Sequence, residues 1–144
     1  MAIYLDYNAT ALVRPEVREA VMDAMSPGGN PSAVHALGRK ARARVENARA
    51  AVAELAGADP TSVIFSSGGT ESNAQAIASA IAAGCDRVIV SATEHPCVSE
   101  AAIHCGVPVE VMPVLANGQA DLEWLESALS TGGRAFVSLH HANN

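Results

Sequence analysis

Aromatic side chains make up only 3% of this 144-residue chain: one Trp, two Tyr and two Phe. That scarcity removes the stacking platforms on which single-stranded nucleic acids are held. Basic residues are also few, nine against 15 acidic ones, for a formal net charge of −6. The clustered positive surface that binds a phosphate backbone is therefore missing, and no direct nucleic-acid contact is expected. Lysine is nearly absent. Lys40 is the single one, and the other eight basic residues are arginine. A mechanism that needs a reactive amine thus has one candidate here, placed among Arg39, Arg42 and Arg44 on a helix face expected to be solvated. No apolar run approaches the roughly 20 residues that span a bilayer. Met1 to Asn8 lack the basic start and apolar stretch of a secretory signal, so a soluble, cytoplasmic protein without membrane contact is expected. Cys85, Cys97 and Cys105 are odd in number and irregular in spacing, which suits reduced thiols better than a disulfide frame.

What is present is a globular composition, 49% apolar and 17% charged, on a chain long enough to bury a core. Pro15 suits the first turn of a helix running to about Met25, where Ser26-Pro27-Gly28-Gly29-Asn30-Pro31 breaks it. Ser32 is placed to cap a long helix from Ala33 to about Ala56, stopped by Gly57. Its Leu37, Ala41, Val45, Ala48, Val52 and Leu55 recur at three and four and predict one apolar face.

From Ser62 onward the period changes. Val63-Ile64-Phe65 predicts a short buried strand, followed by a helix over 70–83. A strand over 87–90, a helix over 96–104, a strand over 107–114, a helix from Asp121 to Leu129 and a strand over 135–139 complete the order. Uninterrupted alternation predicts an α/β fold: a mostly parallel sheet built from βαβ units with helices on both faces. The expected division is an N-terminal helical segment, 1–61, and the first part of an α/β domain, 62–144.

In such sheets ligands gather beyond the carboxyl ends of the strands. After Val63-Ile64-Phe65 comes Ser66-Ser67-Gly68-Gly69-Thr70-Glu71-Ser72-Asn73. Its glycines, helix-start N–H groups and Thr70 hydroxyl suit a phosphate, or simply make a tight turn; it is neither a Walker loop nor a dinucleotide turn. After the next strand comes Thr93-Glu94-His95-Pro96-Cys97, where His95 is placed to face a ligand and move a proton, or to serve as a surface or capping residue. His95, Cys97, His104 and Cys105 do not follow a recognised zinc spacing, and no metal is expected. The last strand leads to His140-His141-Ala142-Asn143-Asn144, whose amides can donate to a ligand or close a turn.

Together, Tyr4 to Thr10, Gly29-Asn30-Pro31-Ser32 with His35 and Gly38, Ser67 to Asn73, Thr93-Glu94-His95 and His141 to Asn144 resemble the NifS/IscS-type cysteine desulfurases. These are class V aminotransferase-family enzymes that use pyridoxal 5′-phosphate, of the aspartate-aminotransferase (fold type I) architecture. The resemblance implies that the Gly69 backbone and Thr70 hydroxyl bind the cofactor phosphate. It implies that His95 stacks on the pyridine ring and assists proton transfer, and that Asn144 contacts the phenolic oxygen. Asp6 to Thr10 and His35 match positions near the entrance, without an assigned role.

One departure is local: Ala9-Thr10-Ala11-Leu12 stands where the family usually has Ala-Thr-Thr-Pro. The resemblance also places the cofactor-anchoring lysine, the aspartate partner of the pyridine nitrogen, the substrate-carboxylate arginine and the persulfide-forming cysteine beyond Asn144. The chain then reads as the N-terminal part of the large domain of such an enzyme, inactive alone. The complete enzyme would convert L-cysteine to L-alanine, act as a homodimer and hand sulfur to an acceptor or scaffold protein, for iron–sulfur cluster, tRNA or thio-cofactor synthesis. The alternatives are another fold type I enzyme, an aminotransferase or lyase, and a noncatalytic α/β module binding a phosphorylated ligand.

Overall fold

The computed structural model describes residues 3–7, 9–26 and 28–142. They form two compact units, residues 1–65 and 66–144.

The first unit is helical. Helix α1 spans Pro15–Met25, with proline in its first turn. Helix α2 spans Ala36–Ala56 and ends on Gly57, whose φ of 64° is the left-handed turn that glycine adopts without strain. Arg44 joins the two, meeting the Asp23 carboxylate at 3.1 Å and its carbonyl at 2.9 Å. Helix α2 starts three residues later than Ser32 predicts. Ser32 N–H is drawn back to the Asn30 side chain at 2.9 Å and Ala33 N–H to the Asn30 carbonyl at 3.0 Å, which closes a turn. The cap is instead His35, whose Nδ1 accepts the Gly38 N–H at 3.3 Å. Gly38 is required there: a Cβ on it would stand 2.2 Å from the Ala33 carbonyl oxygen.

Two further expectations fail in this unit. The apolar stripe of α2 is not buried as a face: Leu37, Val52 and Leu55 are exposed, and Gly38 and Ala53 are the buried positions. The residues of Val63-Ile64-Phe65 form no strand. A short 3-10 turn, Pro60–Ser62, leads into extended backbone in which Ile64 is 77% exposed. The Arg49 guanidinium lies over the Phe65 ring, 5.1 Å from its centroid, and bonds the Val63 carbonyl. Three β-branched or aromatic residues favour extended backbone, but a strand needs a partner ladder, and among the described residues none is offered.

The second unit carries the sheet. Helix α3, Gly69–Ala82, precedes strand β1, Arg87–Ser91; helix α4, Pro96–Ile103, joins it to β2, Val109–Met112; and α5, Leu122–Ser130, leads to β3, Ala135–Ser138. The strands are all parallel in the order β2-β1-β3, with Val88 beside Val109 and Phe136. The β2 strand is shorter than predicted, because Val114 turns away into an isolated antiparallel bridge with Ala120.

Side chains alternate across the sheet. Val88 and Val90 pack with Ile77 of α3 and Val98 and Ala102 of α4 in one buried core. Ile89 and Met112 point to the opposite face and are also fully buried. On that face Arg87 reaches α5, donating to the Ala128 carbonyl at 3.0 Å and the Gly132 carbonyl at 2.9 Å, and pairs with Glu110 at 2.9 Å. Helices thus cover both faces, as the alternation predicts.

Candidate cofactor site

The order β2-β1-β3 puts the end of β1 in the middle of the sheet. The Thr93-Glu94-His95 turn leaves the carboxyl end of β1, which is flanked by β2 on one side and β3 on the other. Open α/β sheets bind ligands at such a point. Two residues of the Thr93-Glu94-His95 turn stand there. His95 is the N-cap of α4, its Nδ1 accepting the Cys97 N–H at 3.1 Å. A neutral ring in that geometry carries its proton on Nε2, which is left free on an exposed side chain. The capping reading and the ligand-facing one are therefore compatible, because one ring nitrogen serves each.

Helix α3 begins at Gly69, and no side chain caps it. The N–H groups of its first turn have no intrahelical acceptors, and the helix dipole adds partial positive charge, a combination that attracts an anion. A Cβ placed on Gly68 or Gly69 would meet no atom within 4 Å, so the space beside their Cα atoms is open. Thr70 is exposed, and its hydroxyl bonds no described residue. Glu71 could have opposed an anion here, but its carboxylate is turned back, accepting from the Ser67 hydroxyl at 2.6 Å and the Ser67 N–H at 2.7 Å. Those bonds, the hydroxyl first and the backbone N–H second, hold Glu71 below its ordinary pKa of 4.5.

Thr70 and His95, 25 residues apart, line one open hollow of about 520 Å³ together with Ala74, Pro96, Cys97 and Glu100. Helices α3 and α4 are tied beside it by Asn73, whose amide donates to Cys97 Sγ at 3.2 Å. Gly69 stands one residue before Thr70. Asn144, the remaining expected site residue, lies outside the described residues. Cys85, Cys97 and Cys105 are half-buried free thiols. Among the described residues no three His, Cys, Asp or Glu side chains converge to hold a metal ion. No described helix is long and apolar enough to cross a membrane.

Sequence reasoning missed Glu94. Its side chain is 5% exposed, Oε1 accepts from Ser138 Oγ at 3.1 Å, and Oε2 lies 3.5 Å from His140 Nδ1. The signal, an acidic residue directly before His95, becomes informative only once β3 is known to lie beside β1.

The second unit is thus an α/β unit in which an uncapped helix start and an imidazole share one hollow. Comparison with known proteins narrows the class. The aminotransferase class-V family model matches residues 3–144, and the chain belongs to that family. It is 40% identical over 148 residues to a cysteine desulfurase of Trichormus azollae, covering 99% of this chain and 37% of that protein. To the cysteine desulfurase IscS of Rickettsia massiliae it is 39% identical over 152 residues, covering 100% of this chain and again 37% of the relative. The chain therefore spans a little over a third of the length of these relatives. Among solved structures, a NifS-like protein from Rickettsia africae superposes with a TM-score of 0.80 at 32% identity, over 94% of this chain and 38% of that one. Another NifS-like protein gives 0.82 at 30% identity, over 95% and 39%.

Proposed function

We propose that this chain is the N-terminal portion of a pyridoxal-phosphate-dependent cysteine desulfurase, which converts L-cysteine to L-alanine and passes the sulfur to an enzyme cysteine as a persulfide. The observation that carries the reading is the convergence of Thr70, on an uncapped helix start, and His95 on one hollow. In this reading residues 1–61 are a helical arm and residues 62–144 begin the cofactor-binding large domain.

The residues fit the cofactor by their own chemistry. The Gly69 and neighbouring N–H groups and the Thr70 hydroxyl would hold the phosphate, and the open space beside Gly68 and Gly69 leaves room for it. The His95 ring would stack on the pyridine, with Nε2 free to hold or pass a proton while Nδ1 keeps the helix cap. Asn144 would donate to the phenolic oxygen. When bound, pyridoxal 5′-phosphate supplies an electron sink for charge developing on an amino-acid substrate. The covalent anchor and the sulfur-accepting cysteine belong to the length of the relatives that this chain does not span, and the chain alone has no turnover in this reading. Lys40 is no substitute: it is exposed on α2 and does not line the hollow. The working enzyme is a cytoplasmic homodimer that delivers sulfur to an acceptor or scaffold protein.

The test uses the full-length enzyme. A visible absorption band that borohydride fixes to a lysine, with alanine and persulfide formed in equal amounts from cysteine, is expected. A bound cofactor with amino-group exchange but no persulfide would assign another class V reaction. The absence of any cofactor band would remove the reading.

A further inference from the structure

Glu94, directly before His95 in the chain, has a nearly fully buried carboxylate whose placement the proposed chemistry leaves unexplained. Withdrawing a carboxylate from water is unfavourable unless its oxygens are engaged, and both oxygens of Glu94 turn to the same stretch of chain, at and just after the end of β3. Oε1 accepts from Ser138, the last residue of β3, at 3.1 Å, and Oε2 lies 3.5 Å from His140 Nδ1, two residues further on. The β1–β3 ladder ends at Val90 and Ser138. Past that register Glu94 continues the connection, from the turn after β1 to the carboxyl end of β3. The turn it belongs to is braced on the β1 side as well: Glu94 N–H bonds the Ser91 carbonyl at 3.1 Å, and the Ser91 and Thr93 hydroxyls meet at 3.1 Å.

We propose that Glu94 is a positioning residue that holds His95 at a set distance from the segment running from β3 to Asn144. His95 is fixed from one side by its cap on α4 and from the other by its chain neighbour Glu94. A ring held at both ends keeps its plane while a ligand enters, whereas a ring held at one end swings with the turn. The inference rests on the reading of His95 as the cofactor-facing imidazole. Displacements of about 1 Å at such a group lower turnover by up to about a hundredfold, so the predicted effect lies in kcat and not in cofactor retention, since Gly69 and Thr70 are untouched.

The experiment compares wild type, Glu94→Ala, Glu94→Gln and Ser138→Ala in the full-length enzyme. It reads kcat and KM, the visible band of the bound cofactor, and the His95 ring resonances of the cofactor-free protein. Glu94→Ala is expected to retain cofactor, shift the band, move the His95 resonances and lower kcat about tenfold or more with KM within about threefold. Glu94→Gln keeps an oxygen for Ser138 and recovers most of kcat; Ser138→Ala loses part of it. Wild-type band, resonances and kcat in Glu94→Ala would overturn the proposal, as would a loss in kcat that only tracks a lost folded fraction and is not recovered by Glu94→Gln. Should Glu94→Ala fail to fold, Ser138→Ala decides on the same readouts. A wild-type enzyme without a cofactor band removes the functional reading instead, and the His95 resonances still report whether Glu94 sets the ring.

Discussion

Replacing Thr70 by valine tests the phosphate site most cleanly, because it separates ligand binding from folding. Thr70 is exposed in the first turn of α3, and its hydroxyl has no partner among the described residues. Valine keeps the β-branched shape and removes only that hydroxyl, so the fold should be nearly indifferent, within about 0.5 kcal/mol as for other surface changes. The bound state should not be indifferent. A hydrogen bond to a charged group contributes about 1.5–3 kcal/mol, and each 1.4 kcal/mol is about a tenfold change in Kd. The loss of one hydroxyl-to-phosphate bond therefore predicts a Kd for pyridoxal 5′-phosphate raised about 10- to 150-fold. The assay is titration of the stripped full-length enzyme with the cofactor, followed by its visible band, beside a thermal melt. A Kd within twofold of wild type, with the melting midpoint unchanged, would refute the argument that this helix start receives the phosphate. A midpoint lowered by several degrees would refute the claim that the hydroxyl is idle in the free protein.

Three other outcomes follow from the same geometry. His95→Asn keeps a side chain that caps helices well, so it should melt within a degree or two of wild type while turnover falls steeply; His95→Ala should lose turnover and also about 1 kcal/mol of stability, read by denaturant titration. Gly38→Ala would gain up to about 1 kcal/mol in helix propensity, but its methyl group would stand 2.2 Å from the Ala33 carbonyl oxygen, and overpacking of about 1–3 kcal/mol should win, lowering the melting midpoint. Glu71, held below its ordinary pKa of 4.5 by the Ser67 hydroxyl and N–H, binds fewer protons in the folded than in the unfolded state. Its contribution is present above pH 4.5 and lost as pH falls through the lowered value, so hydrogen exchange at the Ser67 N–H should lose protection in that acid window, and Glu71→Gln should flatten the change.

Much of the fold is legible in local chemistry. Pro15 opens α1, Gly57 closes α2 with a φ of 64°, and Asp121 caps α5 by accepting the Trp124 N–H at 2.9 Å. Each of these acts within a few residues, so the order of the chain contains the whole cause. The helix starts at Gly69 and after His95 were legible for the same reason, since a helix start exposes N–H groups whatever lies further away. The failures share the opposite character. Whether Val63-Ile64-Phe65 is a strand depends on a partner ladder, which a triplet does not encode. The cap of α2 moved from Ser32 to His35 because Asn30 competes for the backbone ahead of it.

The sequence by itself determined that the second unit alternates strands and helices, that its helix starts carry a Gly-Gly-Thr turn and an imidazole, and that Lys40 is the single lysine. Tertiary structure alone decided that Thr70 and His95 share a hollow and that Glu94 reaches Ser138 across 44 residues. The physical reason is that capping and turn chemistry act through neighbours along the chain, whereas the meeting of two strand ends depends on the order of strands in the sheet. That order is set by which apolar faces bury one another, and only the packed core displays it.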